Sequence, residues 1–188
     1  MRLAINTRAP DFKTADMFGQ PVDLQCLAGK PMLISFLRNG GCAMCNVQVH
    51  KLIQRYDSWH QQGLEVIVIF ESPVQSLLQN VSRQDAPFAI IPDPTAQLYA
   101  LYGVESSEDK ISHHLTPKQQ QLVDEAHTIG YELKPEAGSN FFRLPADFLI
   151  DADQVIREAF YSEAVGDHLS FDLIDSFLAR QNTPHNRR

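Results

Sequence analysis

Two cysteines three residues apart, Cys42 and Cys45, follow the apolar run Pro31-Met-Leu-Ile-Ser-Phe-Leu37 and open a long amphipathic segment. This spacing after a strand-like run places both thiols at a helix start, where the first backbone N–H groups lack intrahelical partners and the peptide dipoles favour an anion. A free cysteine titrates near pKa 8.5, whereas one in this position typically falls to roughly 3.5–7.5 and becomes a nucleophile. Residues three apart share a helix face, so the pair can close into a disulfide and reopen. The chemistry implied is two-electron exchange through a dithiol. Cys42, at the first helical position, is the expected exposed and attacking thiol, and Cys45, on the apolar stripe one turn in, the buried resolving one. Two arginines could tune them, Arg38 just before the pair and Arg143 ahead of Leu144-Pro145, by lowering a thiol pKa or binding a peroxide or carboxylate; as surface ion-pair partners they would do neither.

The elements that must hold this pair are legible from periodicity. Apolar positions Cys45, Val49, Leu52, Ile53 and Tyr56 lie on one helical face that runs to about Trp59 and stops at Gln61-Gln-Gly63. Leu64 to Phe70 reads as a second buried strand, and Ser72-Pro73 as the N-cap and first residue of a second helix. A third strand spans Phe88 to Ile91 and a short helix Thr95 to Tyr102, ended at Gly103. Upstream, Asp11 to Leu24 forms a hairpin around Phe18-Gly-Gln-Pro21. Downstream, Phe148-Leu-Ile150 and Val155 to Tyr161 form another around Asp151-Ala-Asp-Gln154, followed by a helix carrying Phe171, Leu173, Ile174, Phe177 and Leu178. Between them, residues 105–140 are polar, with a helix from Thr116 to His127, and read as an insertion able to cover the site. Gly166-Asp-His168 is expected to shape the turn before the last helix by side-chain capping, His113-His114 to be solvated, Cys26 to be a small buried hydrophobe, and Pro184 to Arg188 to fray. Alternating strands and helices with a late antiparallel hairpin predict an α/β fold of thioredoxin type: a central mixed sheet flanked by helices, an N-terminal hairpin and a helical insertion before the last two strands, in one domain over residues 1–188.

Composition narrows the partners. Sixteen Lys and Arg against 23 Asp and Glu give a net charge of −7, with no basic cluster beyond Arg187-Arg188, so nucleic acid and anionic membranes are excluded as expected partners. The N-terminal apolar run is too short for a signal peptide and no stretch matches a membrane span, which predicts a cytoplasmic protein. Three cysteines do not make a secreted disulfide framework. Cys42, Cys45 and His50 could supply part of a zinc site, yet no second paired ligand set follows, so neither a metal nor another cofactor is expected.

The order Ala9-Pro-Asp-Phe12, Val22-Asp-Leu24, Gly29-Lys30, Phe36 to Cys45, Asp93-Pro94, Leu98-Tyr99, Tyr102-Gly-Val104 and Phe148-Leu-Ile-Asp151 resembles the peroxiredoxin-like branch of the alkyl hydroperoxide reductase and thiol-specific antioxidant family over roughly residues 9–161. The resemblance implies a thioredoxin-like fold and a peroxidatic cysteine in the first turn after a strand, within a Pro-x-x-x-Thr-x-x-Cys motif. Cys45 falls on that cysteine, Cys42 on the threonine and Arg38 on the proline, so two motif positions depart. It also implies an arginine serving the site from a late strand, near Arg143. Set against thioredoxin, Cys42 instead matches the attacking thiol, and Pro145 resembles the cis-proline that faces the dithiol. The order of attack thus stays open between the two cysteines.

Together these readings predict an antioxidant thiol enzyme that reduces hydroperoxides through a dithiol/disulfide cycle, with Cys42 and Cys45 catalytic and Arg143, Arg38 and Pro145 contacting substrate. A thioredoxin- or glutathione-type reductant would supply electrons. The alternatives are an oxidoreductase acting on protein disulfides and a redox-sensing module that docks a partner through the insertion. Cys26 could act as a remote resolving thiol, and pairing into a homodimer is left open.

Overall fold

The computed structural model describes residues 1–111 and 114–181. An antiparallel hairpin, β1 (Lys13–Ala15) and β2 (Pro21–Asp23), leads through a short 3-10 turn (Leu24–Leu27) into β3 (Met32–Phe36), and α1 (Ala43–Gln61) follows. Then come β4 (Glu65–Phe70), α2 (Val74–Asn80), β5 (Ala89–Pro92), α3 (Gln97–Leu101), α4 (Pro117–Thr128), β6 (Ala146–Ile150), β7 (Ile156–Tyr161) and α5 (Phe171–Gln181). The second hairpin, β1/β2 aside, is the β6–β7 pair, which closes the five-stranded sheet β5-β4-β3-β6-β7. In that sheet β3 runs parallel to β4 and antiparallel to β6, while β4 and β5 are parallel and β6 and β7 antiparallel.

Because successive strand residues face opposite sides, the sheet divides its apolar side chains between two cores. Leu33, Val66, Val68, Phe70, Ile90 and Leu149 pack with α1 and α5 on one face. Met32, Ile34, Phe36, Ile67, Ile69 and Phe148 pack with Tyr99, Tyr102 and the N-terminal segment on the other. All five residues of β3 are buried, as expected for a central strand covered on both faces. The Trp59 indole N–H donates to Asp175 Oδ1 at 2.7 Å, joining the end of α1 to α5. Gly63, at φ +90°, takes the left-handed conformation that lets the chain turn from α1 into β4.

The insertion contributes α4, whose Thr116 and Gln119 form a reciprocal capping box with Pro117 in the first turn. Ala126 and the following Tyr131 pack on Ala43 and Val47 at the start of α1. The segment that continues to β6 then crosses the carboxyl end of β3.

Three local expectations are corrected. Ser72 does not cap α2: the helix starts after Pro73 without a side-chain cap, because the Ser72 hydroxyl is engaged elsewhere. His168 is not a cap either. Its Nδ1 lies 3.0 Å from the carboxylate of buried Asp147, which also accepts from Ser35 Oγ at 2.6 Å and Leu169 N at 2.8 Å, while Ser170 Oγ receives the Leu173 N–H. Cys26 is exposed, because its short 3-10 turn directs Leu24 and, in part, Leu27 to the core instead. His114 is exposed; His113 and residues 184–188 lie outside the described residues.

Candidate active site

The backbone beyond β3 continues the sheet for two residues before it turns away. Leu37 N donates to Ile69 O and Glu71 N to Arg38 O, both at 2.8 Å, which fixes Arg38 at the carboxyl edge of the sheet. Asn39, Gly40 and Gly41 then bring the chain to Cys42, the N-cap of α1. With an extended backbone (φ −74°, ψ 113°), its sulfur accepts the Cys45 N–H at 3.4 Å, in the role a Ser or Asp oxygen ordinarily fills at a helix start. The approach loop is held from both sides: Asn46 Nδ2 donates to Gly40 O at 2.9 Å and Cys42 O at 3.1 Å, and Ser72 Oγ accepts the Gly40 N–H at 2.9 Å.

The two thiols have divergent acidities. Cys42 is pushed down to about 6, first by the hydrogen bond from the Cys45 thiol, with the Arg38 charge and the Cys45 N–H adding to it against the cost of burial. Cys45 is pushed well up, by burial first and then by its hydrogen bond and charge coupling to Cys42, against the opposing Arg38 charge. This is the logic of a coupled pair, in which one sulfur carries the negative charge and the other supplies the proton that stabilises it.

Arg38 is the cation at the pair. Its backbone N–H donates to Cys45 Sγ at 3.4 Å, and Nη1 lies 4.0 Å from Cys42 Sγ. The guanidinium is buried, donates through Nη2 to Phe141 O, and sits 5.5 Å above the Phe141 ring. Its buried Nε has no hydrogen-bond partner among the described residues. Arg143 is placed differently from the expectation. Its Nε pairs with Glu71 Oε2 at 2.5 Å, its Nη1 donates to Val104 O at 2.8 Å, and it stacks 4.7 Å over Tyr99. Its hydrogen bonds thus run to Glu71 and Val104 rather than to either sulfur, since the part-buried Glu71 carboxylate offers a full charge at contact distance.

Two further expectations change. Cys42 is not the exposed thiol: Cys42 and Cys45 are 1% and 3% exposed. The cover is the insertion, where Lys134 N donates to Gly41 O at 2.9 Å. The Leu144–Pro145 bond is trans, the form favoured by default. It keeps the chain extended into β6, where Pro145 O accepts the Ser162 N–H at 3.1 Å.

Sequence reasoning misses the roles of Asn46 and Glu136, polar side chains at unremarkable positions, and reads Ser72 as a helix cap; all three become informative only when folded. Ser72 Oγ donates to Glu136 Oε1 at 2.7 Å, and Ser76 Oγ donates to the other carboxylate oxygen. The paired glycines Gly40 and Gly41 were the one available signal. A Cβ on Gly41 would stand 2.2 Å from Lys134 O, so the loop requires glycine there. His50 lies 3.0 Å from Gln54 Nε2 through its own Nε2.

The fold recurs among known proteins. Over 104 residues the chain is 23% identical to the thiol-disulfide oxidoreductase ResA of Bacillus cereus (strain ZK / E33L), a match that covers 55% of this chain and 60% of ResA's length. Among solved structures, a peroxiredoxin 6 from Arenicola marina superposes with a TM-score of 0.70 at 12% identity, covering 94% of this chain and 72% of that one. A putative thiol:disulfide interchange protein DsbE from Chlorobium tepidum superposes with a TM-score of 0.65 at 18% identity, covering 96% and 99%. These likenesses establish the thioredoxin-like fold. The AhpC/TSA family model matches residues 5–159, through both hairpins, the central sheet and the Cys42/Cys45 turn, and on that match the chain belongs to the AhpC/TSA family.

Proposed function

We propose that the protein is a thiol-dependent oxidoreductase that reduces hydroperoxides, with Cys42 as nucleophile and Cys45 as resolving thiol. The observation that carries this reading is the geometry of the pair: Cys42 Sγ accepts the Cys45 N–H at 3.4 Å at the start of α1 and lies 4.0 Å from Nη1 of the buried Arg38 guanidinium, surroundings that lower the Cys42 pKa while burial raises that of Cys45. The Cys42 thiolate attacks the terminal oxygen of a hydroperoxide. An S–O bond forms, the O–O bond breaks, and the departing alkoxide takes a proton to leave as an alcohol. Arg38, with donors at the sulfur and an unpartnered Nε, can stabilise the charge developing on the leaving oxygen. Cys45 then attacks the Cys42 sulfenic acid: the S–S bond forms, the S–O bond breaks, and hydroxide leaves with the Cys45 proton as water. Two electrons and two protons from a thioredoxin-type dithiol, or from two glutathione-type thiols, restore the Cys42/Cys45 dithiol as the donor itself becomes a disulfide. Turnover through a dithiol that must be re-reduced suits a reducing compartment such as the cytoplasm.

Arg143 acts on this reading as a positioning residue that holds Glu71, whose backbone N–H bonds Arg38 O. Pro145 sets the entry into β6. A second reading, reduction of protein disulfides, is favoured by the order of the pair, because a low-pKa thiol at the N-cap followed by a buried partner also serves disulfide exchange.

Rapid mixing of reduced protein with hydrogen peroxide, followed by mass spectrometry, separates the two. Cys42→Ser is expected to abolish peroxide consumption, and Cys45→Ser to stop at a sulfenic acid on residue 42. Reduction of insulin disulfides without peroxide consumption would transfer the assignment to the second reading, and a sulfenic acid on Cys45 would reverse the order of attack.

A further inference from the structure

Taking the proposed thiol chemistry as given, we infer that residues 131–143 form a latched strap that makes the dithiol selective by size, admitting small hydroperoxides and small thiols while excluding protein disulfides until Glu136 releases its serines. The strap crosses the mouth of the site between two anchors, buried Tyr131 and the backbone of exposed Phe141. At one end Tyr131 packs on Ala43 and Val47 and lies 4.0 Å beneath the Arg83 guanidinium, which also donates to Gly130 O at 2.6 Å. At the other, Phe141 O accepts from Arg38. Between them the chain lies against the loop before Cys42 so closely that Lys134 O occupies the space a Gly41 side chain would need.

What holds the middle of the strap is polar. Residues 132–135 and 137 are exposed, and no side chain from 132 to 140 belongs to the apolar cores. Glu136 supplies the latch, one carboxylate oxygen for Ser72 and the other for Ser76, and Ser72 in turn holds Gly40 two residues before the nucleophile. A segment fixed by a few hydrogen bonds at a solvated surface opens at a small fraction of the free energy needed to open the core. Opening would therefore leave the sheet and α1 intact while uncovering Cys42. A hydroperoxide of a few atoms can reach the buried sulfur through small local fluctuations of such a cover, whereas attack on a protein disulfide requires the sulfur to meet the surface of a second folded chain.

The test uses a Cys26→Ser background, because exposed Cys26 would otherwise react with the probes. The reduced protein is labelled with iodoacetamide and with a 5-kDa polyethylene glycol maleimide, and each rate is divided by that for the urea-unfolded protein. The bulky probe is expected to be at least tenfold more retarded than the small one. Glu136→Ala should reduce that discrimination to less than threefold while leaving the alkylation midpoint near pH 6, and Ser76→Ala, which spares the bond to Gly40, should give an intermediate value. Equal retardation of both probes in the native protein would overturn the inference, as would unchanged discrimination in folded Glu136→Ala and Ser76→Ala proteins. Labelling does not depend on turnover, so failure of peroxide consumption with discrimination intact would count against the catalytic reading alone.

Discussion

Replacing Arg38 with Gln tests how the site makes a thiolate without exposing it. The guanidinium Nη1 is 4.0 Å from Cys42 Sγ, and two unit charges at that distance interact by about 4 kcal/mol at an effective dielectric of 20, which is about 3 pKa units. That figure is a ceiling here. The hydrogen bond from Cys45 is the largest cause of the lowered Cys42 acidity and survives the substitution, as does the Arg38 backbone N–H on Cys45. Part of the guanidinium charge is also directed at Phe141 O. A loss of about half the ceiling moves the Cys42 midpoint from about 6 to roughly 7–8. The assay is the pH dependence of Cys42 alkylation, cross-checked by thiolate absorbance. A thiolate of higher pKa is intrinsically more nucleophilic, with a Brønsted slope of about 0.4–0.5, so the variant should react roughly threefold more slowly at about pH 6 and several-fold faster on the alkaline plateau. The two profiles should cross near about pH 7. Peroxide reduction should instead slow at every pH, because the leaving oxygen loses its donor. An alkylation midpoint that stays near 6 in a folded Arg38→Gln protein would refute the electrostatic role assigned to this side chain.

Further outcomes follow from the same geometry. Because the folded protein releases the Cys42 proton near pH 6 and an ordinary thiol does so near 9.0, the unfolded chain binds more protons between those values. Stability of the reduced protein should therefore climb from pH 6 toward 9 by up to about 1.4 kcal/mol per unit, and be lost again as pH falls through 6; urea midpoints should lose this slope in Cys42→Ser. Asp147→Ala removes the buried acceptor shared by Ser35, His168 and Leu169 N, and should cost about 3–5 kcal/mol in urea unfolding while leaving the Cys42 midpoint in place. Thr116→Ala breaks the capping box of α4 and should cost about 1 kcal/mol, read as earlier amide exchange in α4 than in α1.

How much of this was legible beforehand depended on whether a feature is local. The order of strands and helices follows from apolar periodicity, because burial acts on every third or fourth residue of a helix and every second of a strand, and the observed sheet and both hairpins agree with it. The Cys42-x-x-Cys45 turn was equally visible, since a helix start is a local event. The alignment with a known family rested on the same short segments, and it also suggested a cis bond at Pro145 that the extended entry into β6 does not have.

What tertiary structure decided is which side chains from distant segments meet. Arg38 and Arg143 were equivalent candidates in the sequence, and they parted only because Glu71, from the end of β4, lies within reach of one and the sulfurs within reach of the other. Ser72 looked like a helix cap until Gly40 and Glu136 converged on its hydroxyl. Cys42 was expected to face solvent because a helix N-terminus usually does, but a strap nearly a hundred residues further along the chain covers it. The sequence alone determined that two thiols would share a helix start, because a strand end followed by an amphipathic run is a local pattern; their unequal acidity comes first from the hydrogen bond between the two thiols and then from the Arg38 charge. Which charge stands beside them and what can reach them are long-range matters, set by sheet topology and by a polar latch that no local pattern encodes.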